Sequence, residues 1–294
     1  MPLSKAHTKA QSRRLAVTLC VGLLPLLLGS PLIYWQAGKV LDQQAHDRAE
    51  EARELFEEIL DTADTAARSV IDLSGGPCDD VDQALRRQVT INPYLRSVNL
   101  AYDGELYCTS LSGPFKEPEQ LEYYSDGQLR LMPGNDTTPD RAVLIYRLAD
   151  APRAVLIGID GLHLTKVLQL AGQKAPLQLV IGDAYMGADG QVRQAPLPPI
   201  PVAQTNLHSE RYPLHIRAGY AKGAQWHLMQ TQYLSLLVLL LLLGIMASVA
   251  VQWLGLRANS PRRELERALA AGEFLPYYQP LVGTASASAL RHCQ

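Results

Sequence analysis

The chain has 294 residues, of which 19% are charged, and its formal net charge is −2. A length in this range allows one or two domains. The near-neutral charge gives no electrostatic reason to invoke nucleic acid, so we expect no nucleic-acid partner.

Two apolar runs of membrane-spanning length divide the chain. Residues 15–34 and 233–251 contain no Asp, Glu, Lys or Arg. About 20 such residues are enough for a helix to cross roughly 30 Å of hydrocarbon. We therefore predict transmembrane helices at residues 15–35 and 233–253, with the lipid bilayer as a partner. The other segments are an N-terminal tail of residues 1–14, a central domain of residues 36–232 and a C-terminal linker of residues 254–294.

Basic residues flank both runs on the side away from the central domain. They are Lys5, Lys9, Arg13 and Arg14 before the first run, and Arg257, Arg262 and Arg263 after the second. Basic side chains close to the end of a span favour the cytoplasm. We therefore predict two cytoplasmic termini and an extracytoplasmic central domain. The alternative for the first run is a signal peptide that is cleaved near Ala37-Gly38.

A long amphipathic helix follows the first run. Apolar side chains recur at spacings of three and four over residues 36–71, and no Gly or Pro occurs from Lys39 to Ser74. We predict that the first span continues into this helix and that its apolar stripe packs on its own domain. The alternative is a homodimer in which the stripe packs on a second copy. The stripe consists of Leu55, Phe56, Ile59, Leu60, Ala63, Ala66, Ala67, Val70 and Ile71.

The sequence then changes to short elements. The segment Ser74-Gly75-Gly76-Pro77 ends the long helix, and a short helix is predicted at residues 80–89 with Asp79 or Asp80 as its N-cap. Asp-Gly pairs, which favour tight turns, occur at residues 103–104, 126–127, 160–161 and 189–190. Strands are predicted at residues 97–102, 105–109, 128–132, 142–148, 153–159, 177–181 and 212–218, and a helix at residues 162–170.

The order of these elements predicts the fold class. A long leading helix followed by strands that tight turns connect is an α+β fold with a mostly antiparallel sheet. The proline-rich residues 197–202 are predicted to form an extended loop. This layout is similar to the periplasmic sensor domains related to the PAS and Cache folds.

Cys78 and Cys108 are the strongest chemical signal in the central domain. They are its only cysteines, because Cys20 lies in the first span and Cys293 lies near the C-terminus. Thiols pair in an oxidising extracytoplasmic compartment, and a bridge closing about 30 residues would stabilise the fold by roughly 3–4 kcal/mol. Three interpretations stay open: a structural bridge, a redox-responsive bridge, and two unpaired buried thiols.

The segment Tyr107-Cys108-Thr109-Ser110 resembles the Cys-Ser-Ser signature of the CSS-motif sensor domain. That domain lies between two spans in bacterial cyclic di-GMP phosphodiesterases. Thr109 replaces the middle serine of the signature and keeps a hydroxyl group. The resemblance implies a multi-pass protein of the bacterial inner membrane whose central domain is periplasmic and meets the periplasmic thiol-disulfide machinery.

The C-terminal segment is similar to the opening helix and first strand of an EAL phosphodiesterase domain. The similarity covers residues 264–282, where Glu273-Phe274 leads to Tyr278-Gln279-Pro280. It implies a TIM-type barrel in which acidic residues hold two Mg²⁺ or Mn²⁺ ions and cyclic di-GMP is hydrolysed to the linear dinucleotide. Gln279 matches the glutamine of the family's opening strand, which approaches the nucleotide.

The chain departs from the EAL pattern after Val282. No Asp or Glu follows Glu273, and a TIM barrel takes about 250 residues. We therefore expect a truncated relative with only the start of the barrel, without catalytic residues, cofactor or metal site, that is itself inactive. The seven histidines are scattered singly in the sequence, without metal-ligand spacing.

Together these features favour a membrane-anchored, redox-responsive sensor of a cyclic di-GMP phosphodiesterase. Cyclic di-GMP would then be a partner only of intact relatives, which carry the complete barrel. The alternative function is a non-enzymatic membrane sensor or interaction protein that modulates full-length relatives.

Overall fold

The structure is a computed structural model that describes residues 3–134, 139–258 and 269–271. Its contacts divide the chain into two units, one of residues 34–231 and one of the described parts of residues 1–33 and 232–294. The EAL-like segment with Gln279, and also Cys293, lie outside the described residues, so the expectations for them stay predictions. The helices are α1 (Leu3–Val70), α2 (Cys78–Ile91), α3 (Gly161–Ala171), α4 (Ala224–Gln232) and α5 (Leu234–Ala258).

α1 is a single helix of 68 residues that contains both the first apolar run and the amphipathic stretch after it. Most of its apolar stripe is buried within one copy of the chain: Leu60, Ala63 and Ala67 have no exposed surface and Phe56 is 1% exposed, whereas Leu55 is 37% exposed. The stripe therefore packs on its own domain, which is the first of the two alternatives. A homodimer through α1 would have to use other faces of the helix, and it stays a prediction.

The first sheet has six antiparallel strands, β1 (Leu95–Tyr102), β2 (Glu105–Thr109), β3 (Gly113–Pro118), β4 (Leu129–Met132), β5 (Val143–Asp150) and β6 (Arg153–Asp160). Their order is β3-β2-β1-β6-β5-β4. Asp103 and Gly104 both have positive φ and form the tight turn from β1 to β2. Val98, Leu100 and Ile157 on the inner face share one buried core with the stripe of α1.

The second sheet has five antiparallel strands, β7 (Leu177–Ile181), β8 (Ala184–Gly187), β9 (Val192–Gln194), β10 (Val202–His208) and β11 (His215–Tyr220). Their order is β10-β11-β7-β8-β9. Leu179, Met186 and Ile216 lie on its inner face and belong to the same core as the first sheet. The predicted α+β class is therefore confirmed, but the strands form two sheets on one long helix.

Two local predictions are wrong, and four strands were not predicted. Asp160 does not form a turn; its side chain accepts a hydrogen bond from the Leu162 amide at 2.8 Å and caps α3, because Asp favours the N-cap wherever a helix follows directly. α2 begins at Cys78, so Asp79 and Asp80 lie in its first turn, where the helix dipole favours negative charge. The sequence also does not predict β3, β8, β9 and β10.

Tyrosine hydroxyls fasten both sheets to neighbouring turns of α1. Tyr146 Oη on β5 donates a hydrogen bond to Asp64 at 2.6 Å, and Tyr212 Oη, just before β11, donates to Asp61 at 2.7 Å. The two rings meet edge to face with centroids 6.2 Å apart. Burial raises the pKa of both tyrosines, so both hydroxyls keep the proton that they donate. The two sheets are therefore bonded to the same stretch of helix.

Glu57 is a buried carboxylate between two arginines of different elements. It is 6% exposed and accepts one hydrogen bond from Arg53 on α1 and another, of 2.9 Å, from Arg211. Arg211 also donates to Asp61 at 2.7 Å. Burial opposes the ionisation of Glu57 and Asp61. The hydrogen bonds that Arg211 donates to both carboxylates, and the one that Tyr212 donates to Asp61, outweigh this effect. They hold the pKa of both carboxyls below their ordinary values.

Acid is expected to destabilise this unit through Glu57 and Asp61. Carboxyls with a lowered folded-state pKa stabilise the fold above the unfolded-state pKa of about 4, and lose this contribution as the pH falls through the folded-state values. The free energy of unfolding should be flat above about pH 5 and fall towards about pH 3. Denaturant titrations across this range measure it.

A matched pair of variants on α1 tests the assignment to these carboxyls. Glu57→Gln should cost about 1–2 kcal/mol at neutral pH, because hydrogen bonds to a charged acceptor are lost, and it should flatten the fall at acid pH. Glu58→Gln changes an exposed neighbour and should leave both quantities unchanged. An acid transition of Glu57→Gln as steep as that of the native chain would contradict the assignment.

Two helices are long and apolar enough to span a membrane, namely Arg13–Leu73 and Leu234–Gly255. The second helix and the N-terminal part of the first belong to the other unit. A Cβ on Gly244 would lie 2.3 Å from the carbonyl oxygen of Gly22, so the two backbones touch at the glycines. Ser248 Oγ donates to the Thr18 carbonyl oxygen at 3.2 Å. Small residues at a close crossing are typical of helix pairs in lipid.

Candidate functional site

A disulfide joins Cys78 and Cys108, whose Cα atoms are 5.4 Å apart. Cys78 is the first residue of α2, and Cys108 lies on β2 opposite Leu100 of β1. Cys108 is 1% exposed, whereas Cys78 is half-buried. The interpretation of these cysteines as two unpaired thiols is therefore wrong, and the structural bridge and the redox-responsive bridge stay open. The exposed side of the bridge is the side of α2.

Two hydrogen bonds attach the chain between α1 and α2 to the same β1–β2 hairpin. Ser74 Oγ donates to the Ala101 carbonyl oxygen at 2.8 Å, and the Gly75 amide donates to Tyr107 Oη at 2.9 Å. Ser74 is 6% exposed, so its bond is shielded from water. The disulfide and these two bonds together connect the end of α1, the start of α2 and the hairpin. We call this group the disulfide junction.

The two residues after Cys108 close the hairpin side of the disulfide junction. Ser110 Oγ accepts a hydrogen bond from the Val98 amide at 3.0 Å, and the Ser110 amide donates to the Val98 carbonyl oxygen at 2.9 Å. Thr109 Oγ1 accepts from the Leu111 amide at 3.3 Å and stabilises the turn after β2. The three residues of the motif therefore have separate roles. Cys108 bonds covalently to α2, Thr109 stabilises the turn, and Ser110 extends the pairing of β1 with β2.

Ser110→Ala is expected to destabilise the fold by about 1–2 kcal/mol, because the buried Val98 amide loses its acceptor. Thr109→Ser keeps the hydroxyl that binds the turn and removes one methyl group, so it should cost less, about 0.8 kcal/mol at most. Equilibrium unfolding of both variants in denaturant measures the difference. Equal stabilities for the two variants would refute the role given to Ser110.

Sequence reasoning gave Cys78 and Cys108 as a candidate bridge and Cys108, Thr109 and Ser110 as the sensor motif. The structure brings these four residues together. Sequence reasoning missed Ser74, whose hydroxyl bonds to a backbone carbonyl on a strand distant in sequence. No periodic pattern marks such a residue. A signal was present in the helix-ending segment, because a serine before two glycines must satisfy its polar groups outside the helix. Cys20 is exposed on α1 and is a free thiol.

A family model described as "CSS motif domain associated with EAL" matches residues 41–233. The chain belongs to this family. The match contains Cys78 and the motif at Cys108, so the disulfide junction lies within the CSS-motif domain.

Two curated relatives of this CSS-motif chain come from Escherichia coli strain K12. "Probable cyclic di-GMP phosphodiesterase PdeG" is 24% identical over 225 residues, which cover 76% of this chain and 44% of the relative. "Probable cyclic di-GMP phosphodiesterase PdeD" is 26% identical over 292 residues, which cover 95% of this chain and 54% of the relative. The chain thus spans about half the length of these relatives.

Among solved structures, the CSS-motif chain is similar to the sensory domain of the Campylobacter jejuni chemoreceptor Tlp3 (CcmL). The TM-score is 0.42 at 11% identity, and the match covers 66% of this chain and 99% of that domain. The extracellular domain of the putative histidine kinase soHK1S-Z6 gives a TM-score of 0.42 at 9% identity, with 66% of this chain and 98% of that domain covered.

Proposed function

We propose that the chain is a membrane-anchored sensor of a cyclic di-GMP phosphodiesterase and that it responds to the redox state of Cys78 and Cys108. The observation that carries the proposal is the position of the bridge, directly after α1, the helix that contains the first apolar run. The choice of cyclic di-GMP as the nucleotide is supported by family membership and by the names of the curated relatives. Hydrolysis of cyclic di-GMP, with Mg²⁺ or Mn²⁺, would belong to an EAL domain.

The proposed topology places both termini in the cytoplasm and residues 36–232 in the periplasm, with two spans in the bacterial inner membrane. Basic residues outside the two runs support this orientation. A disulfide between the two cysteines of the central domain also supports it, since bridges persist in oxidising compartments.

Exposed aromatic side chains support a membrane surface next to the central domain. Trp35 is 58% exposed, Trp226 is 54% exposed and Tyr34 is 47% exposed. They lie near each other, because Gln225 Nε2 donates to the Tyr34 carbonyl oxygen at 2.6 Å. Trp and Tyr are enriched at membrane–water interfaces, so this group would sit at the headgroup level and fix the depth of α1.

The proposed response begins with reduction of the bridge. A periplasmic dithiol transfers two electrons and two protons to Cys78 and Cys108, which become thiols while the dithiol becomes a disulfide. α2 then loses its covalent bond to β2, and the end of α1 stays attached to the hairpin through non-covalent contacts, among them the hydrogen bonds of Ser74 and Gly75. The loosened end shifts the equilibrium of α1, which extends to the first span.

A chimera tests this function. Residues 1–258 are joined to the catalytic part of PdeD, and hydrolysis of cyclic di-GMP with Mg²⁺ is measured in membranes under oxidising and reducing conditions. We expect a change in turnover of at least about threefold, equivalent to roughly 0.6 kcal/mol. Thiol labelling on non-reducing gels reports the state of the bridge in the same samples.

The control is the same chimera with both Cys78 and Cys108 replaced by serine. It should be insensitive to the reductant and fixed at the turnover of the reduced chimera. A native chimera whose bridge is reduced without any change in turnover would overturn the redox proposal. The expected inactivity of the 294-residue chain alone is checked in the same assay.

A further inference from the structure

The connection from β9 to β10 crosses the outer face of the second sheet. The two strands are consecutive in the chain but lie at opposite edges of the sheet. Five strands at about 4.8 Å spacing span roughly 19 Å, and the chain from Gln194 to Val202 reaches about 26–29 Å when fully extended. Residues 195–201, which we call the strap, therefore reach across the sheet with about 7–10 Å to spare. Their sequence, Ala-Pro-Leu-Pro-Pro-Ile-Pro, favours an extended backbone.

Contacts place the strap against the sheet. The Ala195 amide donates to the Asp183 carbonyl oxygen at 2.9 Å near the β8–β9 edge. At β11, a Cβ on Gly219 would lie 2.3 Å from Ile200 Cγ2, and the φ of Gly219 is +151°. Only glycine at this position allows the strap to approach so closely.

Arg217 lies buried under the strap on the central part of β11. It is 7% exposed, and it donates to Gln178 Oε1 at 3.2 Å and to the Pro198 carbonyl oxygen at 3.1 Å. Both acceptors are neutral, and in the described part of the chain no carboxylate forms an ion pair with Arg217. A guanidinium has five N–H donors, and a buried charge without a counter-ion is costly.

The surroundings of Arg217 add hydrogen-bond donors on the same face of the sheet. His215 precedes it by two residues on β11, and His208 lies opposite His215 on β10 with ring centroids 5.0 Å apart. Burial, His208 and Arg217 lower the pKa of His215, as expected beside surplus positive charge. Asn206 is exposed on the edge strand β10 and lies directly opposite Arg217, close enough for their side chains to meet.

We propose that Arg217 anchors a binding site for an oxyanion, the carboxylate or phosphate group of a small solute that enters from the β10 edge. The guanidinium pairs with two oxygens of the anion, and Asn206 and His215 donate from either side. The site is separate from the disulfide junction and does not rest on the proposed redox function. It would give the sensor unit a second input.

Thermal unfolding of the full chain in an uncharged detergent tests the site. Chloride is replaced stepwise by inorganic phosphate in one series and by acetate in another, at constant ionic strength. We expect a saturable rise of the midpoint by about 3–5 °C at ten times the Kd for at least one oxyanion. The effective anion identifies the ligand as a phosphate or a carboxylate. No response to either would overturn the proposal.

Asn206→Asp gives a sharper test without changing a buried residue. The new carboxylate lies opposite Arg217, so this variant should unfold at a higher temperature than the native chain in chloride and should lose at least about four fifths of the oxyanion response. Arg193→Gln is the matched control, because Arg193 is exposed on β9 and pairs with Asp189; it should keep the full response. If Arg217 only holds the strap, Asn206→Asp keeps the response, and that result would also overturn the proposal.

Discussion

Cys78→Ser should lower the free energy of unfolding by about 3–4 kcal/mol. The bridge joins residues separated by 30 positions, and opening it returns the entropy of this loop to the unfolded chain. The buried Cys108 would also lose its covalent partner in the core. Equilibrium unfolding of the full chain in detergent, followed by far-ultraviolet circular dichroism, measures the loss.

Two comparisons accompany this measurement. Reduction of the native chain by dithiothreitol should reproduce the stability of Cys78→Ser, since both open the same loop. Cys20→Ser removes an exposed thiol outside the central domain and should leave the transition unchanged. The prediction is wrong if the double variant Cys78→Ser/Cys108→Ser unfolds at the same denaturant concentration as the oxidised native chain.

Leu60→Ala should cost about 2–5 kcal/mol, because it leaves a cavity in the core that both sheets share with α1. Leu60 has no exposed surface, whereas Leu55 on the same helix is 37% exposed. Leu55→Ala removes the same atoms from a partly solvated position and should cost less than about 1 kcal/mol. The same unfolding assay compares the two variants.

This pair also separates the two interpretations of the apolar stripe. Packing of the stripe within one chain requires the loss at Leu60 to be independent of protein concentration. A dimer through the stripe would make the loss depend on concentration, because association would then contribute to stability. Equal losses at Leu55 and Leu60 would contradict the packing of α1 described above.

Features with a local cause could be predicted from the sequence. The continuous part of α1 after residue 38 follows from the spacing of its apolar residues and the absence of Gly and Pro there. The turn at Asp103-Gly104 follows from the preference of this pair for positive φ. The bridge between Cys78 and Cys108 could be predicted because the central domain holds no other cysteine.

Features that depend on strand order could not be predicted. β9 has only three residues and β3 is an edge strand with prolines at positions 114 and 118, so neither shows a clear alternation. The histidines at 208 and 215 looked isolated, and only the pairing of β10 with β11 places their rings together. The burial of Arg217 depends on the path of the strap, which the order of five strands decides.

The bonds of Tyr146 and Tyr212 to adjacent turns of α1 have a thermodynamic consequence. An effector of the second sheet that displaces the helix, and that therefore binds the oxidised and the reduced chain with different affinities, must change the reduction potential of the bridge. By reciprocity, opening the bridge must change the effector's affinity by the same factor. For a two-electron couple, each tenfold change in affinity shifts the reduction potential by about 30 mV. The reduction potential of the bridge, measured with and without the effector, would therefore report on the coupling between the two sheets.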